Sequence, residues 1–122
     1  MEKLYIGVDL GSTNIKVALY DEKFQLQGSQ SVPVEYRRDG GVVEFDVWDY
    51  CEDLTRVLAQ LMKGREGAAL RCISFTGQAE SLVCVGADGR PLMNAISWMD
   101  ERSTEECKIL EKQLTHEICE AV

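Results

Sequence analysis

Residues 5–19 read Tyr-Ile-Gly-Val-Asp-Leu-Gly-Ser-Thr-Asn-Ile-Lys-Val-Ala-Leu, two apolar runs joined by a Gly-Ser-Thr turn, and no other stretch constrains the fold as strongly. Apolar side chains at every second position suit extended strands with one face buried, and the second run should pair antiparallel to the first. Asp9 stands near the end of the first run. Gly11 lets the backbone approach another group closely. The N–H groups around such a turn can converge into a concavity suited to an oxyanion, and the hydroxyls of Ser12 and Thr13 add donors. Asp9 is the kind of carboxylate that holds a hydrated Mg²⁺. Gly11, Ser12 and Thr13 are therefore candidate phosphate-binding residues and Asp9 a candidate Mg²⁺ ligand. The same residues also suit a plain hairpin turn, with Asp9 and Ser12 bonding the local backbone.

A net charge of −8 sets the chain against a polyanionic partner and excludes nucleic acid as its main one. A local nest of N–H groups still overrides that global field at short range. The cysteines (Cys51, Cys72, Cys84, Cys107 and Cys119) are odd in number and form no Cys-x-x-Cys pair. Four of them fall at apolar positions of predicted strands or helices, where free Cys behaves as a small hydrophobe, and a reducing cytoplasm fits this usage. A zinc site would have only His116 to draw on; that residue is expected on the solvent side of the last helix, without a role. Glu2, Lys3, Asp9 and Lys16 interrupt the N-terminal run, so no signal peptide is expected. No stretch approaches the roughly 20 apolar residues of a membrane span, so the expected location is cytoplasmic, with no membrane partner.

The rest of the chain reads as follows. Asp21-Glu22-Lys23 is a turn, and Phe24 to about Tyr36 is a third strand whose Pro33 argues for an edge position. Asp39-Gly40-Gly41 is a turn before a short run from Val42 to Phe45. A helix is predicted from near Asp46, with Val47, Tyr50, Cys51, Leu54, Val57, Leu58 and Leu61 on one stripe and Gly64 and Gly67 ending it. Leu70 to Thr76 is a fourth strand, expected to lie parallel to the first because a helix intervenes. Ser81–Val85 and Pro91–Ile96 flank Ala87-Asp88-Gly89, a hairpin signal. Ser103 and Glu106 have capping-box spacing before a helix with Cys107, Leu110, Leu114, Ile118 and Val122 on one face. This order gives an α/β layer architecture with no internal domain boundary over residues 1–122.

Two further stretches carry candidate chemistry. In Ile73-Ser74-Phe75-Thr76-Gly77-Gln78-Ala79-Glu80 a strand ends at Gly77, and Gln78 and Glu80 follow at the edge of an α/β sheet where ligands bind. Amide and carboxylate groups suit sugar hydroxyls, though they also suit a solvated loop. In Ala95-Ile96-Ser97-Trp98-Met99-Asp100-Glu101-Arg102 the Trp98 ring could face the CH side of a sugar or sit in the core. Asp100 and Arg102 could bond hydroxyls, lock the loop, or form a local charge pair at the helix start.

The ordered set of the Asp-Leu-Gly-Ser-Thr turn, Gly77-Gln78, Asp88-Gly89 and the Ala-Ile-x-Trp-x-Asp-x-Arg run resembles the FGGY carbohydrate kinases, nearest the xylulokinase-like branch, over nearly the whole chain. The resemblance implies a ribonuclease-H-like domain, as in actin-like ATPases and sugar kinases, with a mixed sheet flanked by helices. It also implies ATP-dependent phosphorylation of a sugar or polyol hydroxyl with Mg²⁺. On this reading Gly11, Ser12 and Thr13 face the ATP phosphates, Asp9 assists Mg²⁺, and Gln78, Ala79 and Glu80 lie at the sugar with Asp100 nearby. Xylulokinases carry Met-His after Gly-Gln where this chain has Ala79-Glu80, which leaves the sugar open.

Members of that family run to several hundred residues. The resemblance therefore implies an incomplete first domain, the N-terminal part, with no catalytic residue of its own, since the family's base and adenine pocket lie beyond residue 122. Such a piece is expected to be inactive alone and to self-associate through surface left uncovered. The rival readings are another actin-like-fold ATPase or a ROK-type kinase, and a non-catalytic half-domain that binds a protein partner.

Overall fold

Burial on a single face accounts for the first two strands. In β1 (Lys3–Leu10) Leu4, Ile6 and Val8 are buried, and in β2 (Asn14–Tyr20) Ile15, Val17 and Leu19 are buried. The strands pair antiparallel with Val8 opposite Val17 and Leu10 opposite Ile15, so all six side chains meet on one face. The structure, a computed structural model, describes residues 1–114. The expectations for His116, Ile118, Cys119 and Val122 lie outside the described residues.

The buried face is closed by α1 (Val47–Met62). Val57 is buried against the sheet, and Tyr50, Leu54, Leu58, Leu61 and Met62 pack around it, so the predicted stripe forms from Tyr50 to Leu61, without Val47 and with Cys51 left exposed. Each such large side chain contributes about 1.5–3 kcal/mol when fully buried. Asp46 starts the helix: its backbone is extended and its Oδ1 accepts the N–H groups of Trp48 at 2.7 Å and Asp49 at 3.1 Å. A cap of this type is worth about 1 kcal/mol. Past the helix end Gly64 takes φ +78°, reversing the chain.

The main sheet has the order β3-β2-β1-β6. Strand β3 (Leu26–Pro33) lies at an edge, with Pro33 opposite Asn14, as its proline requires. After α1 the chain returns as β6 (Ala69–Gly77), parallel to β1 with Asp9 level with Thr76 and Leu10 with Gly77.

A second, three-stranded sheet was not expected. It joins β4 (Arg37–Asp39), β5 (Val42–Phe45) and β7 (Ala95–Ile96) in the order β4-β5-β7. The predicted hairpin around Ala87-Asp88-Gly89 survives as two isolated bridges, Leu82–Ile96 and Val85–Pro91, and a turn in which the Gly86 N–H bonds the Arg90 carbonyl. Its one regular segment pairs with β5 instead.

The capping box before α2 (Thr104–Gln113) does not form. Ser103 stands at the N-cap with φ −95° and ψ 14° and makes no side-chain cap bond, because that backbone is not extended as a capping hydroxyl needs. Thr104 turns back instead, its hydroxyl donating to the Glu101 carbonyl at 2.7 Å. The cysteines also differ from expectation: Cys51, Cys72 and Cys107 are exposed and Cys84 is half-buried. Their positions lie on faces that no described element covers. Among the described residues no helix is long and apolar enough to cross a membrane.

Candidate functional site

The turn at Gly11–Thr13 leaves the sheet where β1 and β6 both end, and its carbonyls are all bonded on the protein side. The Tyr50 hydroxyl donates to the Gly11 carbonyl at 3.2 Å, joined by a long contact from Gln78 Nε2 at 3.5 Å. The Tyr36 hydroxyl donates to the Ser12 carbonyl at 2.6 Å, and the Val34 N–H donates to the Thr13 carbonyl at 2.9 Å. The N–H groups of Ser12 and Thr13 donate to no acceptor among the described residues. A Cβ on Gly11 would lie 2.5 Å from the Asn14 carbonyl oxygen, so the turn closes only around glycine. The hairpin-turn alternative, in which Asp9 and Ser12 bond local backbone, is not what forms: neither side chain makes a hydrogen bond among the described residues, and the bonds that hold the turn come from outside it.

Asp9 projects on the sheet face away from α1. It lies opposite Lys16 on β2 and Thr76 on β6 and borders an open recess of about 280 Å³ with Gly7, Ala18 and Ser74. It forms no ion pair among the described residues, and its Oδ1 is 3.7 Å from where a Gly11 Cβ would be. Another recess, about 310 Å³, is lined by Glu35, Asp46, Asp49 and Asp53 against a single cation, Arg37, a net negative wall that disfavours a phosphate chain.

At the end of β6, Gly77 abuts Leu10, where a Cβ would come within 3.0 Å of backbone, and the Gln78 N–H bonds the Leu10 carbonyl at 3.0 Å. The Gln78 amide is used at both ends: Nε2 approaches Gly11, and Oε1 accepts the Ser81 hydroxyl at 2.7 Å. Ser81 Oγ in turn accepts the Trp98 N–H at 3.1 Å. One hydrogen-bonded path therefore links the three stretches singled out in the sequence, and Ser81 is a member that sequence reasoning missed. Ala79 and Glu80 are exposed, and Glu80 takes φ +67°, an uncommon conformation for a side chain of this kind.

The Trp98 ring is 51% exposed, so it is not a core residue. Asp100 is nearly covered, at 3% side-chain exposure. Its Oδ1 accepts the Arg102 N–H and Nε–H, and its Oδ2 accepts the Val43 N–H at 2.6 Å and an Arg102 Nη2–H at 2.8 Å. Arg102 also reaches Glu44 at 2.8 Å, tying the loop to β5. The Arg102 guanidinium, aided by the Val43 N–H, holds the Asp100 carboxyl well below its ordinary value near 3.8. A lowered folded-state pKa stabilises the fold above the unfolded value and loses that contribution as the pH falls below it. The Tm should therefore drop as the pH is taken below about 4. Asp100→Asn should lower the Tm by several degrees at neutral pH and flatten the acid limb; a variant with an unchanged acid limb would show that this carboxylate does not stabilise the fold.

Residues 4–121 match the model of the FGGY family of carbohydrate kinases, N-terminal domain. The xylulose kinase of Staphylococcus epidermidis is 30% identical over 114 residues, covering 91% of this chain and 23% of that protein. The glycerol kinase of a Marinomonas species is 32% identical over 117 residues, covering 93% and 24%. Among solved structures, the gluconate kinase from Lactobacillus acidophilus superposes with a TM-score of 0.86 at 25% identity, over 93% of this chain and 23% of that one. The fold these proteins share is ribonuclease-H-like. The chain spans about a quarter of the length of the relatives it matches.

Proposed function

The chain belongs to the FGGY family of carbohydrate kinases, and from that premise we propose that residues 1–122 are the N-terminal part of the first ribonuclease-H-like domain of an ATP-dependent sugar or polyol kinase. The observation that carries this reading is the turn. Its carbonyls are held away from the open side, and among the described residues two N–H groups have no acceptor and the carboxylate beside them, Asp9, has no ion pair. Those groups fit a magnesium polyphosphate: N–H donors for oxyanions and a hard oxygen ligand for the cation.

MgATP, when bound, supplies the γ-phosphoryl group that passes to a substrate hydroxyl. In this reading the Ser12 and Thr13 N–H groups and hydroxyls, with Gly11 giving close approach, grip phosphate oxygens, and Asp9 serves the cation. Gln78, Ala79 and Glu80 border the sugar, and Trp98 offers its exposed ring. Asp100, although all its observed bonds are to Val43 and Arg102, lies near the sugar and fixes the loop that carries Trp98. Asp9 is not the base: a cation beside it would stabilise its charged form and make it a poor proton acceptor. No residue of the chain is assigned that role, so the chain alone should not turn over. Leu70, Ile73 and Phe75 stand exposed on β6 and give the surface for self-association. A cytoplasmic setting, where ATP and Mg²⁺ are available, belongs to the same proposal.

The test is a titration of the ¹⁵N-labelled chain with MgATP, and with ATP plus a chelator, followed by a coupled assay over ketoses and polyols. The Ser12 and Thr13 amide signals should shift with MgATP, Asp9→Asn should remove the Mg²⁺ dependence, and no sugar should stimulate ADP release. Unmoved turn signals at millimolar MgATP would sink the nucleotide site; sugar-dependent ADP release would sink the assignment of the chain as inactive.

A further inference from the structure

Two tyrosines distant in sequence from the phosphate turn converge on it. Tyr36 follows β3 and Tyr50 lies in the first turn of α1, separated from their acceptors by 24 and 39 residues. Both rings pack on Phe45 of β5, edge-on for Tyr36 at 5.7 Å and tilted for Tyr50 at 5.1 Å between centroids. Phe45 is buried, so the second sheet acts as a brace that fixes where both hydroxyls stand. In a trans peptide the C=O of one residue and the N–H of the next point in opposite directions. Holding the Gly11 carbonyl inward therefore turns the Ser12 N–H outward, and holding the Ser12 carbonyl inward turns the Thr13 N–H outward.

We propose that Tyr36 and Tyr50 are positioning residues for phosphate binding, their hydroxyls setting the two peptide planes that aim the Thr13 and Ser12 N–H groups at a bound polyphosphate. This rests on the nucleotide reading above and deepens it. Neither tyrosine touches the ligand in this scheme; each acts through one peptide group. A donor fixed before binding spares the ligand the cost of ordering the turn. Burial raises the Tyr50 hydroxyl above its ordinary pKa of 10.0, so it stays protonated and donating throughout the neutral range.

The test uses the whole chain with Tyr36→Phe, Tyr50→Phe and, as a control, Tyr5→Phe, whose ring packs on Phe24. Phenylalanine keeps the ring packing and removes only the donor. Each turn variant should raise the MgATP Kd about threefold to tenfold, the worth of one hydrogen bond, with the Tm within a few degrees of the parent. The NMR signature should be selective: Tyr36→Phe loosens the Thr13 N–H, and Tyr50→Phe loosens the Ser12 N–H. A purely structural role would instead lower the Tm and spread shifts through the core. If the parent chain binds MgATP and both variants bind it equally well, the positioning role is wrong and the nucleotide reading stands. If the parent chain does not bind, the nucleotide reading fails and takes this proposal with it.

Discussion

Gly11→Ala should weaken MgATP binding about 5- to 150-fold, the consequence of roughly 1–3 kcal/mol of local overpacking placed in the binding turn itself. The new Cβ would lie 2.5 Å from the Asn14 carbonyl oxygen, well inside ordinary contact. Neither side of that clash can yield cheaply. Gly11 is tethered through its carbonyl to Tyr50, and Asn14 begins β2, paired with Pro33. The turn must therefore open, and opening it rotates the peptide planes that present Ser12 and Thr13. Gly67→Ala is the matched control: a Cβ there meets nothing within 4 Å, and the residue precedes β6 at the end of the strand away from Gly77 and the turn, where alanine costs less backbone entropy than glycine. Titration calorimetry with MgATP and thermal melts on both variants decide the matter. Native affinity in Gly11→Ala would mean that the turn does not hold the phosphates.

That glycine was legible in the sequence because its neighbours are local. So were β1, β2 and their pairing: Leu4, Ile6 and Val8 alternate with more exposed positions for long enough to show a period of two, and Ile15, Val17 and Leu19 repeat it. Helix α1 was legible from the stripe between Tyr50 and Leu61 and from Asp46 before it. The second sheet was not. Its strands run three, four and two residues, too short for any period to register; β4 and β5 meet across the local Gly40-Gly41 turn, but β7 reaches β5 from far along the chain. The same limit hid Tyr36 and Tyr50 as parts of the site. One reads as the end of a strand and the other as one more apolar position of a helix, and only the folded chain brings both hydroxyls to a turn dozens of residues earlier. Asp100 and Arg102 were legible as a local charge pair, but not the Val43 and Glu44 contacts that make the pair a clasp on β5. Ala79-Glu80 departs from the xylulokinase pattern, and the relatives at similar identity are named for xylulose and for glycerol.

Leu19→Ala should destabilise the fold by about 2–5 kcal/mol, the transfer cost of the lost side chain plus the cavity it leaves. Leu19 is fully buried, and on the same face of the sheet as Ile15 and Val17 it packs in the cluster that α1 covers. Domains of this size are stable by only about 5–15 kcal/mol, so such a loss takes a large share of the total. Leu92, 72% exposed, gives the contrast: Leu92→Ala should change stability by no more than about 0.5 kcal/mol. Urea unfolding followed by circular dichroism would measure both. The core variant also separates stability from binding. Leu19 is opposite Ile6, well along β2 from the turn, whereas Ile15 is opposite Leu10 and next to it. At temperatures where both are folded, Leu19→Ala should bind MgATP as the parent does, while Ile15→Ala should lose affinity along with stability. Equal losses of affinity in the two would show that the turn is not a locally braced element, and that its geometry is carried by the core as a whole.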